Sequence, residues 1–173
     1  MPASKKPRPP KPHRNAARIP EIIARLDEAY GIPEWRPHRD PLSELVLTIL
    51  SQNTSDANSG RAFVRLLEAF PTWDAVMDAP LPELVAPIQP GGLAPTKAPR
   101  IQAVLREIKE RRGGFDLGFL AALPLDEARA WLGSLHGVGP KTVACVLLFA
   151  LGRPAMPVDT HVFRVAGGLG LIP

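Results

Sequence analysis

Two short stretches carry the residues that can do chemistry. Leu135-His136-Gly137-Val138-Gly139-Pro140-Lys141 reads as a tight glycine hairpin opening onto an apolar helix, with an amine in that helix's first turn. Eighteen residues after Lys141, Val158-Asp159-Thr160-His161 puts a carboxylate at the start of the next helix. Paired glycines permit positive φ and let backbone N–H groups approach a ligand closely. The helix beyond them adds the positive end of its dipole, so the turn suits a phosphate held without reading base sequence. A lone Gly-x-Gly is only a tight turn. The flanking helices, Pro140 at the first helical position and Lys141 after it make this one more specific. The dipole opposes a cation at Lys141. That opposition, combined with burial, is expected to lower its pKa and free the amine as a nucleophile. Asp159 also reads as a plain N-cap, a role compatible with facing a developing positive charge.

Those residues need a helical frame, and the apolar spacing supplies one. A first helix is expected over residues 20–30, with Ile22, Ile23 and Leu26 in a stripe and Gly31 as its stop. Asp40 caps a second, broadly apolar helix through Leu50, which ends in the polar corner Ser51-Gln52-Asn53-Thr54-Ser55-Asp56. A third is expected over residues 57–70, and a short fourth capped by Thr72. Residues 80–95, dense in Pro and Gly, read as a connection of turns. Thr96 is expected to cap a helix to about Arg112, with its charged residues on a solvated face. A short helix at 125–132 leads into the hairpin. The segment from Lys141 to Leu151 is apolar nearly all round, which places it centrally in a packed bundle. No segment alternates with period two. The fold class is all-α: a bundle of about eight or nine short helices.

Composition narrows the setting. The 21 prolines among 173 residues, against a usual level of about 5%, fall mostly in the tail and at element boundaries and punctuate short helices. Six of the 21 basic residues lie in residues 1–18 with no acid among them, leaving 15 basic against 17 acidic residues in the remainder. The body is therefore not uniformly basic, and any nucleic-acid footprint on it is a local patch. The tail reads as a disordered basic arm with two roles open: salt-sensitive attraction to phosphates, or simple solubilisation. One cysteine, Cys145, excludes an internal disulfide and a cysteine-only metal cluster in this chain. No apolar run is long enough for a membrane span, and the default setting is the reducing cytoplasm, at the nucleoid if DNA is the partner.

The residues from Leu135 to Thr142 together with those from Val158 to Val165, with their Lys-to-Asp spacing, resemble the endonuclease III branch of the helix-hairpin-helix DNA glycosylases. The corner from Leu50 to Asp56 is similar to that family's polar corner. The likeness runs from about residue 20 to the end. It implies the helix-hairpin-helix glycosylase fold, and an enzyme of base excision repair that flips a damaged base, typically an oxidised pyrimidine, from duplex DNA. By this resemblance Lys141 attacks the sugar C1′, forms a Schiff base and nicks the strand by β-elimination. Asp159 helps activate the lysine and stabilises charge on the sugar. Asn53, with Gln52 beside it, fills the gap left by the flipped base, an amide being able to donate and accept there. His136, Gly137, Val138 and Gly139 hold the backbone, with Lys97 and Arg100 as further phosphate contacts. Main-chain carbonyls of Gly133, Leu135 and Val138 bind a monovalent cation.

The pattern also departs from the family. His136 stands where Pro is common. Pro140 stands where Arg often sits, which removes one possible phosphate contact. Relatives carry four C-terminal cysteines binding a [4Fe-4S] cluster, and none occur here. A truncated piece is expected, with a cluster in the intact protein if cysteines lie beyond residue 173. The expected organisation is a basic arm at 1–18 and a first helix and linker at 19–39 that would pack on the cluster segment. The bundle then spans 40–153, with its helix-hairpin-helix at 125–151, and the start of a second domain spans 154–173. The partner is duplex DNA bearing a damaged base or abasic site, met by a monomer. The alternatives are a glycosylase for an oxidised purine or a mismatch, and a helix-hairpin-helix module that binds DNA without chemistry.

Overall fold

A computed structural model describes residues 15–36 and 38–172. Among the described residues there is no strand, and nine α-helices carry the fold: α1 Ile19–Tyr30, α2 Pro41–Leu50, α3 Asp56–Ala69, α4 Trp73–Asp78, α5 Leu81–Ile88, α6 Ala94–Arg112, α7 Leu125–Gly133, α8 Pro140–Cys145 and α9 Thr160–Gly168. The basic arm expected at the N-terminus lies, up to residue 14, outside the described residues.

The chain divides into two compact units. The larger runs from Trp35 to Pro157; the smaller combines described residues up to Glu34 with those from Val158 onward. The larger unit includes Trp35 to Arg39, a segment that the sequence assigns to a linker. Hydrogen bonds tie it down: Trp35 Nε1 donates to the Leu148 carbonyl (2.8 Å) and His38 N to that of Phe149 (3.0 Å). In the smaller unit, Asn15 Nδ2 and Arg18 donate to the Gly170 and Leu169 carbonyls after α9. No residue of α1 is buried, and its Ile19, Ile23, Leu26 and Tyr30 are exposed.

The core of the larger unit reflects apolar spacing. Leu45, Val46 and Ile49 of α2, Leu66 of α3, and Ile101, Leu105 and Ile108 of α6 are fully buried, each such side chain contributing roughly 1.5–3 kcal/mol by leaving water. Caps start the helices where expected. Asp40 Oδ1 accepts from Leu42 N and Ser43 N, and Thr72 Oγ1 from Ala75 N.

Three segments differ from expectation. Residues 80–95 are not a string of turns, since they hold α5 and then a 3-10 turn, Gln89–Gly91. Pro82 sits in the first helical turn, where a missing N–H costs nothing. Leu84 and Ile88, one turn apart, are fully buried. The sixth helix starts at Ala94, not at Thr96. Leu93, in the left-handed region at φ 51°, ends the turn, and its carbonyl accepts from both Thr96 N and Lys97 N. The segment after the hairpin is α-helical only to Cys145, then widens to a π-helical turn at Val146–Ala150. Nor is it sealed on every side: Leu148, Phe149 and Leu151 are half-buried.

The charged face of α6 is also less solvated than expected. Gln102 is buried and donates to the Val76 and Ala79 carbonyls at the end of α4. Arg106 donates to the Met77 carbonyl, Lys109 pairs with Asp74, and the Arg112 guanidinium lies 3.8 Å from the Phe119 ring centre.

Candidate active site

The hairpin is held by α6. His136 N donates to Glu107 Oε2 (2.9 Å), Arg111 pairs with Glu107, and Arg111 also donates to Ser134 Oγ (2.7 Å). The turn closes on itself through Val138 N to the Leu135 carbonyl (3.1 Å), with Gly137 at φ 75°. The phosphate nest is therefore smaller than expected. Two of its four N–H groups, those of His136 and Val138, are committed internally, which leaves Gly137 and Gly139 among the described residues. Of the three carbonyls assigned to a monovalent cation, Leu135 O already accepts from Val138, with its second lone pair left for a ligand. Gly133 closes α7 and Val138 ends the turn.

Arg100 ties the polar corner to the hairpin. Its guanidinium donates to Gln52 Oε1 (2.8 Å), and its stem lies so close to Gly137 that an added Cβ would stand 3.1 Å from Nε. Asn53 is exposed at the corner's tip, at φ 53°, a left-handed conformation that Asn tolerates better than most residues. Lys97 does not fit a phosphate contact. It is 2% exposed, and its ammonium donates to the Leu50 (2.7 Å) and Gly91 (2.8 Å) carbonyls. Burial lowers its pKa, and its charge fastens α6 to the end of α2.

Lys141, half-buried in the first turn of α8, lines a cavity of about 370 Å³. Two ladders share this cavity: Glu44 and Thr48, four apart on α2, and Lys141 and Cys145, four apart on α8. That spacing sets each pair on one helix face. His38 and Arg39 form the rim, with the His38 ring stacked on Phe149 (centroids 5.0 Å apart) and Arg39 over Phe63. The π-helical turn matters here, because its Leu148 and Phe149 carbonyls anchor the rim segment.

Glu44 is the residue that sequence reasoning does not single out. It is 4% exposed, and its Oε2 has no hydrogen-bond partner. Burial pushes its carboxyl up, opposed by the charges of His38, Arg39 and Lys141 and by a hydrogen bond with Thr48. The one available signal is an acid among the inward residues of an apolar helix; its place in the first turn makes it read as a dipole complement. Cys145, expected as core, is buried, but it also faces the cavity. Burial pushes its thiol up, opposed by the Lys141 charge and a hydrogen bond with Lys141.

Asp159 caps α9 as expected, its Oδ1 accepting from Val162 N at 2.8 Å. It belongs to the smaller unit and Lys141 to the larger. As for the iron–sulfur cluster that the resemblance implies, the donor set present does not fit it. The chain has one cysteine, buried in α8, and no grouping of three His, Cys, Asp or Glu among the described residues could hold a metal.

Comparison with known proteins converges on one family. A putative DNA glycosylase of Arabidopsis thaliana is 46% identical over 132 residues, 76% of this chain and 45% of its own length. Endonuclease III of Thermotoga maritima is 33% identical over 152 residues, 88% of this chain and 64% of its own. The chain thus spans about half to two thirds of the length of these relatives. Among solved structures, a non-covalent endonuclease III–DNA complex superposes with a TM-score of 0.76 at 31% identity, covering 91% of this chain and 70% of the other. Residues 46–173 match the HhH-GPD superfamily of base excision DNA repair proteins, and the chain belongs to that family.

Proposed function

We propose that this chain is a DNA N-glycosylase with abasic-site lyase activity, acting on oxidised pyrimidines in duplex DNA. The observation that carries the reading is Lys141 itself: an amine in the first turn after a glycine hairpin, opening into a cavity that also holds a buried carboxylate. Family membership and the likeness to a DNA complex support the partner. The preference for oxidised pyrimidines rests on the resemblance to endonuclease III.

The chemistry uses the residues in turn. The Lys141 nitrogen lone pair forms a bond to C1′ of the flipped nucleotide as the N-glycosidic bond breaks, and the base leaves with that bonding pair. Ring opening gives an iminium between Nζ and C1′. Loss of a proton from C2′ then expels the 3′ phosphate, breaking the C3′–O bond. Asp159 contributes negative charge where the sugar becomes positive. Gly137 and Gly139 hold a backbone phosphate, Arg100 and Gln52 brace the corner, and Asn53 enters the stack in place of the base. The carbonyls of Gly133, Leu135 and Val138 would hold a monovalent cation, which would supply positive charge toward a backbone phosphate.

Borohydride trapping on duplexes carrying an abasic site or thymine glycol tests this reading. The expected result is a covalent protein–DNA adduct that disappears in Lys141→Ala. Binding without an adduct would leave a helix-hairpin-helix module without chemistry. An adduct with the abasic site and 8-oxoguanine, but none with thymine glycol, would move the activity to another lesion.

A further inference from the structure

We propose that Glu44 is the group that accepts the ammonium proton of Lys141, a positioning residue for the nucleophile that no family motif in the sequence marks. The inference rests on the lyase reading and assigns a source for the neutral amine that this reading requires. A lysine cannot attack C1′ while its lone pair holds a proton. Glu44 sits in the same cavity as Lys141, buried, with Oε2 unpartnered. A buried carboxylate oxygen without a donor is costly to maintain, and structure-only roles normally satisfy both oxygens. Lys141, on the α8 ladder of the same cavity, is the amine that shares this space with the unpartnered oxygen, and the transfer requires the two to close into contact.

In the transfer the Nζ–H bond breaks with its electron pair staying on nitrogen, and an O–H bond forms at Oε2. An ammonium and a carboxylate become an amine and a carboxylic acid, with no change in net charge. Burial raises the Glu44 carboxyl, which favours its protonated form once the proton has arrived. The other groups facing Glu44 are Thr48 on its own helix, His38 and Arg39 on the rim, Asp56 of α3, and Cys145 beside Lys141. The Arg39 charge on the rim opposes that rise and keeps the carboxyl available as an acceptor. Asp159 is thereby relieved of this step and keeps the sugar's charge as its task.

The test is single-turnover borohydride trapping on a preformed abasic duplex, run across pH with the 173-residue chain and with Glu44→Gln. An internal acceptor makes the wild-type rate nearly flat from about pH 6 to about 9. Without it the amine must lose its proton to solvent, so the Glu44→Gln rate should rise about tenfold per pH unit and meet the wild type only at alkaline pH. A structural role would lower the rate by one factor at every pH. Profiles that run parallel, at any absolute rate, overturn the proposal. Circular dichroism checks that Glu44→Gln is folded. If it is not, Glu44→Asp, its carboxylate retracted by one methylene, decides. An intermediate acid limb supports the proposal, and a profile superimposable on wild type overturns it. Wild-type adduct with parallel profiles sinks this inference alone; no wild-type adduct sinks the lyase reading and the inference together.

Discussion

Glu44 and Lys97 are buried charges of the larger unit, and they bend the stability curve in opposite senses. The Glu44 carboxyl is raised from 4.5 by burial. Between the unfolded and folded values the native state therefore holds the extra proton. Stability from this residue is fully present below the unfolded value and is lost as pH rises through the folded one. Glu44→Gln removes that loss. The variant should be more stable than wild type at neutral pH, with the advantage vanishing below about pH 4, as urea unfolding at several pH values would show. A more stable but less active variant is the usual signature of a group kept for chemistry. Lys97 is lowered from 10.5. In the window up to that value the unfolded chain binds the proton, so stability from this residue rises with pH. Lys97→Met keeps the stem but deprives the Leu50 and Gly91 carbonyls of their donors. It should cost roughly 2–4 kcal/mol at neutral pH, a gap that widens on the alkaline side.

At the scale of elements, the sequence announces caps and turns and hides what proline and tertiary contacts disguise. Asp40, Thr72 and Asp159 are readable because each has a short acceptor just ahead of an apolar run. The hairpin is readable because its glycines, proline and lysine stand in fixed order. The fifth helix, α5, is not, since Pro82, Pro87 and Pro90 outweigh the spacing of Leu84 and Ile88. The roles of Lys97 and Glu44 cannot be seen, because the carbonyls and the amine they face come from other helices. Two variants probe the legible elements. Gly137→Ala forces a side chain to φ 75° and against Arg100. It should cost about 1–3 kcal/mol and weaken DNA binding with it, by loosening the Arg100–Gln52 brace. Asp159→Asn keeps a cap oxygen of nearly equal quality and loses only the charge. Helicity should stay at the wild-type level while base release slows by about tenfold or more. Equal losses of helicity and activity would reduce Asp159 to a cap.

The whole molecule separates its charge along the chain. Lys5, Lys6, Arg8, Lys11 and Arg14 supply five of the 21 basic residues, and residues 15–173 hold 16 basic against 17 acidic. A nearly neutral body can place a duplex through the hairpin amides and a few local cations, but it cannot attract one from a distance. Long-range attraction then falls to the first fourteen residues. Each phosphate neutralised adds about 0.9 to the slope of log affinity against log salt. Deleting residues 1–14 should therefore reduce that slope by up to about 4.5 and lower affinity for undamaged duplex at low salt. Asn15 and Arg18, which bond to Gly170 and Leu169, remain in place. Trapping of a saturating abasic duplex should keep its wild-type rate, because Lys141, Glu44 and the other described residues of the cavity all lie outside the deleted segment. Fluorescence anisotropy across a salt series, beside single-turnover trapping, measures both. An unchanged slope would make the arm a solubilising tail, and a slowed trapping rate would bring it into the chemistry.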